Sequence, residues 1–193
     1  MKGLLKLSVV AILLLIPIAS QAKTVDFTFE DEIALNMVRG EIQAPIETTR
    51  FQLGGAIGEL RVDVDDLKKT RGTIKIDLLN IQSYSFADGE KNSTQTEHMK
   101  NWFEIGPDVT KKDRETNRWA VFKIKKITQA EPNKLKDAKA FTDEIGTGRN
   151  FTITAEGDLT VHGVTSPKTV ELAIAIWEVN PDGTRYKKAT KSY

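Results

Sequence analysis

The sequence predicts an all-β fold, an antiparallel sheet accompanied by one or two short helices. Three observations carry that expectation. Apolar and polar residues alternate with period two in segments spread along the chain, the pattern of half-buried strands. The segments follow one another with little helical pattern between them, which favours antiparallel over parallel pairing. The alternation also leaves one side of each segment apolar, so the sheet must curl into a barrel or split into a sandwich to cover it.

The first 22 residues, MKGLLKLSVVAILLLIPIASQA, stand apart from this pattern. Lys2 and Lys6 form a positive start, Leu7 to Ile16 an apolar run, Pro17 a break, and Ser20 and Ala22 a small-residue cleavage site. This is the pattern of a secretory signal peptide, predicting cleavage before Lys23 and a periplasmic or secreted location. The apolar run is short for a bilayer span and the chain turns polar beyond Ala22, so no stable membrane anchor is expected after cleavage. Residues 23–193 then form one domain, a length sufficient for a core without staples.

Within that domain the alternating segments are FTF (27–29), GELRVDVDDL (58–67), GTIKIDLLNI (72–81), RWAVFKIKKI (118–127), NFTITAEGDLTVHG (150–163) and KTVELAIAIWEV (168–179). Counting by twos assigns their faces. Leu60, Val62 and Val64 oppose Glu59, Arg61 and Asp63; Ile74, Ile76 and Leu78 oppose Thr73, Lys75 and Asp77. Phe122 and Ile124 oppose Lys123 and Lys125, Phe151 and Ile153 oppose Thr152 and Thr154, and Val170, Leu172, Ile174 and Ile176 oppose Thr169 and Glu171.

Two stretches predict helices. In NSTQTEHMKNWF, Thr94 and Glu97 have capping-box spacing, with Met99, Trp102 and Phe103 placed on one helical face. In NKLKDAKAFTDEIG, Leu135, Ala138, Phe141 and Ile145 recur about once per turn ahead of Gly146 as a C-terminal cap. Both are read as lids or braces over barrel ends.

Composition and motifs exclude several classes. With the leader removed, lysine and arginine nearly balance aspartate and glutamate, so no broad field for nucleic acid is expected. The chain has no cysteine, hence no disulfide framework. There is no G-x-S-x-G and no P-loop, and GTGRNF (146–151) has Phe151 where a dinucleotide fingerprint needs its third glycine. DVDDL from Asp63 starts like a calcium loop but carries Lys68 and Ile74 where Gly and Glu are required, so its acids are read as solvated strand ends. His98 and His162 are the two histidines, too few and too dispersed for a catalytic zinc set. No cofactor, no metal and no catalytic residue is expected.

The segment GDLTVHGVTSP (157–167) resembles the G-x-L-T-x-x-G-V-T-x-P hairpin of the YceI-like family, and TEHMKNWFEI (96–105) is similar to its helical crossover. Together with the leader and GELRVDVDDL, the resemblance covers most of residues 24–179. It implies a lipocalin-like antiparallel barrel binding an elongated amphiphile, a polyisoprenoid or prenyl quinone, without enzymatic activity. The ligand would lie against Leu60, Val62, Val64, Ile74, Ile76, Leu78, Phe122, Ile124, Phe151, Ile153, Leu172, Ile174 and Ile176. His162, just before the hairpin turn, is read as closing a strand. The polar segment 104–118 is longer than the usual family connection, and the family continues with further strands past Val179, which raises a C-terminal truncation.

Two other functions fit the same strands: a ligand-free barrel serving stress response or protein interaction, with bulky residues filling the interior, and a hydrolase or isomerase, with converging titratable groups. An apolar face fills a core as well as it lines a cavity. Oligomeric state and ligand length are left open.

Overall fold

In the computed structural model of the full chain, the residues described are 8–10, 15–16, 24–29, 36–43, 48–84, 89–142 and 147–178. The fold is all-β, as expected. Its strands are β1 (Ser8–Val10), β2 (Leu15–Ile16), β3 (Thr24–Phe29), β4 (Met37–Gln43), β5 (Thr48–Gly54) and β6 (Ile57–Asp63). They continue with β7 (Arg71–Asp77), β8 (Gln82–Tyr84), β9 (Trp119–Glu131), β10 (Lys139–Thr142), β11 (Thr147–Val161) and β12 (Val164–Glu178). Two helices, α1 (Ser93–Trp102) and α2 (Lys111–Asn117), separate β8 from β9.

The strands pair in the order β3-β6-β7-β9-β11-β12-β1-β4-β5-β8, with β10 beside β11 and β2 beside β12. All pairings are antiparallel except those of β1 and β2 with β12. The order forces the sheet to curl. Strands β7 and β8 lie seven steps apart, about 34 Å in a flat sheet at about 4.8 Å per step. The link from Asp77 to Gln82, including the 3-10 turn Leu78–Asn80, can reach only about 18 Å fully extended. The sheet therefore bends back on itself, and its inward side chains meet in one core. The terminal strands β3 and β8 are not paired with each other among the described residues.

Residues 8–10 fall in the segment read as a leader, and in the full chain β1 lies between β12 and β4, with Val9 opposite Leu172 on one side and Val38 on the other. Removing that segment takes away the strand partner those two elements share. The predicted signal-peptide residues outside β1 and β2, and the chain past Glu178, lie outside the described residues.

The longest ladder is the β11–β12 hairpin, running from Gly148 opposite Trp177 to Val161 opposite Val164. The glycine of its motif has a steric reason. A Cβ on Gly157 would run into the Lys123 carbonyl oxygen and, at 2.8 Å, the Phe122 ring. Gly157→Val is expected to destabilise the fold by about 2–4 kcal/mol in urea melts, since neither backbone nor packed ring can give way cheaply.

Beside Gly157 the β9–β11 register slips: Ile127 faces Ala155, whereas Ile124 faces Gly157. This bulge leaves Lys125 and Lys126 both exposed and moves the inward row from Ile124 to Ile127.

The helices depart from expectation. In α1 the cap is Asn92, whose side chain accepts from the Gln95 amide, and not the Thr94–Glu97 box. Met99 is buried but Trp102 on the supposed common face is exposed, and Phe103 caps the helix half-buried. The second helix is not at 133–146. Leu135–Asp137 is a single 3-10 turn, and Lys139–Thr142 is strand β10, pairing with β11 so that Phe141 lies opposite and over Gly148. Cross-strand pairing overrode a spacing compatible with either structure; Ile145 and Gly146 lie outside the described residues.

The actual second helix, α2, lies in the polar segment 104–118. It has no apolar residue for a periodicity search to find, but Thr110 and Asp113 carry the signal: the Asp113 amide donates to Thr110 Oγ1, and that hydroxyl donates to Asp113 Oδ2 at 2.7 Å. A further correction concerns strand 72–81. It ends at Asp77, which is buried rather than on the wet face, and Leu78 begins a 3-10 turn.

Candidate functional site: the apolar interior and its helical cap

Every residue expected on the inward face is buried, except Val64, which is half-buried against the same cluster. The structure brings them together from β6, β7, β9, β11 and β12 and the turns that end them. Ile74 faces Phe122 across β7–β9, and Phe151 faces Ile174 across β11–β12. Phe27 and Phe29 of the alternating FTF segment and Val170 of the β12 row join them, together with two residues that periodicity did not select, Val38 from β4 and Leu53 from β5. Their exposures of a few percent or less mean that the interior side chains are packed against one another.

The two ends of this interior are closed differently. At one end the 3-10 turns Leu67–Lys69 and Leu135–Asp137 cross over, tied by the Leu67 amide donating to Asn133 O and the Leu135 amide to Val64 O. Leu67 and Leu135 are the buried plugs there. At the other end α1 supplies Met99, and the loop after it Ile105.

The cap is held by polar contacts. Thr96 Oγ1 accepts from the Ser83 amide and from Gln82 Nε2, each at 2.9 Å, while donating to Asn92 O at 2.7 Å. Ser83 Oγ donates to Gln95 Oε1 at 2.9 Å. Asp77, nearly buried, accepts Arg118 Nη2 at 2.6 Å with one oxygen and the Leu79 amide at 3.0 Å with the other. The Arg118 guanidinium lies 5.0 Å from the centre of the Trp119 ring. The hydrogen bond that Arg118 donates to Asp77 raises the guanidinium's already high pKa, against the opposing effect of burial, so it stays charged.

His162 occupies the hairpin turn itself. It has φ +50 and Gly163 φ +72, the pair of left-handed residues of a tight hairpin turn in which Asn-Gly is the preferred sequence. Its Nε2 lies 2.9 Å from Glu104 Oε2, and Glu104, just past α1, also has a positive φ, +51. His162 therefore ends the strand, as read, and in addition ties the hairpin tip to the cap. No periodicity search could reveal that contact between residues 58 apart. His162→Asn is expected to retain most stability, whereas His162→Ala loses about 1 kcal/mol by placing an alanine at positive φ. His98→Ala, on the exposed face of α1, should stay within about 0.5 kcal/mol; thermal melts of the three variants check this ranking.

The described grooves are open and lie on the sheet surface. One of about 420 Å³ is lined by Arg39, Gly40, Glu41, Arg50, Phe51, Gln52 and Tyr84. Among the described residues no group of three or more acids and histidines is placed to hold a metal ion.

The family model for the YceI-like domain matches residues 18–190. The chain belongs to the YceI-like domain family. The match includes the Gly157–Pro167 hairpin, the α1 crossover and all the inward rows, and begins within the predicted leader. No curated protein and no solved structure matches the chain. In this YceI-like chain the motif residues with a visible physical role include Gly157, for its close approach to β9, Leu159, in the core, Gly163, for its turn, and Thr160 and Thr165, whose hydroxyls hydrogen-bond across the hairpin at 2.8 Å.

Proposed function

We propose that this YceI-like protein is an exported, non-enzymatic carrier that holds an elongated amphiphile of polyisoprenoid or prenyl-quinone type among its inward rows. The observation that carries this reading is the single apolar interior running between a turn-plugged end and a helix-capped end. A linear hydrocarbon suits such a space, because every methylene moved from water to the interior contributes about 0.8 kcal/mol. The inward side chains are in contact, so the lipid enters by displacing them. The cap end is the more adaptable, with Met99 as a buried side chain of α1.

The close packing also favours a second reading, a filled barrel that serves stress response or protein interaction without a ligand. Native mass spectrometry of protein purified from its exported location separates them. The carrier is expected to retain a lipid, and to bind longer prenyl chains more tightly until the interior is full. Protein bare of lipid, with no gain in affinity along a prenyl series, would leave the filled barrel. The same spectrum reports the processed mass, expected to begin at Lys23.

A further inference from the structure

A carrier of the kind proposed above must meet the bilayer that holds its lipid, and the inference here rests on that reading. We propose that the end of α1 and the β11–β12 hairpin tip together form a docking surface for anionic phospholipid membranes.

Trp102 and Val164 are the large apolar side chains left exposed among the described residues, at 69% and 71%. They are far apart in the chain, but the His162–Glu104 contact joins the residue two before Val164 to the residue two after Trp102. Both therefore project from the capped end. Phe103 packs against the core while its neighbour Trp102 does not, so among the described residues the indole stays largely exposed. Scattered exposed apolar residues are ordinary. A tryptophan and a valine that each lie two residues from one side-chain contact, made by two residues held at positive φ, are not scattered. Tryptophan is the side chain that favours the membrane–water interface, apolar in body and polar at the indole N–H.

Charge indicates which surface. The bulge in β9 turns Lys125 and Lys126 outward together, beside Lys123 on the same strand and half-buried Lys168 across the hairpin. Glu156 and Asp158 lie among them, Asp158 paired with Lys125 at 2.6 Å. The patch remains net positive in an otherwise nearly neutral chain, and Lys123 sits opposite Asp158, a short way from the tip that carries Val164. Lysines beside an interfacial tryptophan match anionic headgroups. No helix among the described residues is long and apolar enough to cross a bilayer, so docking is peripheral and reversible.

Co-sedimentation with vesicles tests this, using equal parts phosphatidylcholine and phosphatidylglycerol against phosphatidylcholine alone, all variants sharing one N-terminus. Wild type is expected to sediment with the anionic vesicles and to release as salt is raised. Trp102→Ser and Val164→Ser should weaken binding, the first about tenfold. Lys123→Glu with Lys126→Glu should weaken it at least as much, each variant keeping its circular dichroism. Wild-type sedimentation equalled by the Trp102→Ser, Val164→Ser double variant, or no sedimentation of wild type at low salt, overturns the proposal and leaves the tip to a protein partner. Retained lipid, measured on the same preparations, keeps the two readings distinct. Lipid retained with vesicle binding indifferent to Trp102 rejects the docking surface alone. Trp102-dependent binding by a protein that never holds lipid rejects the carrier alone.

Discussion

Ile174→Asp is expected to abolish cooperative folding, while Lys75→Asp leaves it intact. Ile174 is buried in the middle of β12, opposite Phe151 and within the core shared by the inward rows. A carboxylate there has no partner, and its desolvation costs several kcal/mol, a large part of the about 5–15 kcal/mol that holds a domain of this kind together. Ile76→Asp on β7 should behave the same way, since Ile76 is also buried. Lys75, its exposed neighbour, points to water, so Lys75→Asp should change stability by about 0.5 kcal/mol or less. Urea denaturation followed by circular dichroism compares the three. Equal midpoints for Ile76→Asp and Lys75→Asp would mean that the faces of β7 are reversed. The milder Ile174→Val, at about 1 kcal/mol, keeps the fold and lets lipid retention be read separately from stability.

Asp77→Ala should cost about 3 kcal/mol. It removes the acceptor for Arg118 and for the Leu79 amide at once, at the point where β7 turns under the cap. Breaking a well-buried ion pair typically costs more, but the Arg118 side chain is about one-third exposed, and water partly compensates the orphaned guanidinium. Asp77→Asn retains an oxygen for the Leu79 amide and should recover about 1 kcal/mol of that loss. Arg118→Lys keeps a charge but not the planar group lying over Trp119, and is expected to fall between wild type and Asp77→Ala. Chemical denaturation of the set measures the order. Asp77→Ala matching wild type would show that the pair holds nothing in place.

The contrast between these two sites shows where sequence reasoning reached and where it stopped. The inward rows were legible because a strand half-buried in a sheet has a period of two, and nothing in β6 or β12 disturbs that period. In β9 the rule failed where the pairing with β11 shifts, between Ile124 and Lys126 and again between Ile127 and Gln129. The bulge at Lys125 shifts the inward row, and its position depends on the partner strand, where Gly157 admits the close approach. Asp77 looked like an outward residue by counting, yet it is buried because Arg118, forty-one positions away, neutralises it.

The strands β4, β5, β8 and β10 were not read as strands. In β4, Gly40 interrupts the pattern, its missing side chain filled by Phe51 from the strand opposite. In β10, helical spacing and strand pairing competed, and Phe141 over Gly148 decided for the strand. Helix α2 exposes every residue except half-buried Arg114 and buried Asn117, so it is specified by its cap and not by periodicity.

By itself, then, the sequence determined the all-β class, the hairpin that turns near Gly163, the buried faces of five strands, and the family, because these depend on local alternation, turn chemistry and a short motif. The tertiary structure alone decided the strand order, the bulge, the buried Asp77–Arg118 pair and the His162–Glu104 clasp that ties the hairpin tip to the end of α1. Each of those joins residues distant in the chain, and a contact of that kind depends on how the whole sheet curls, which no local period records.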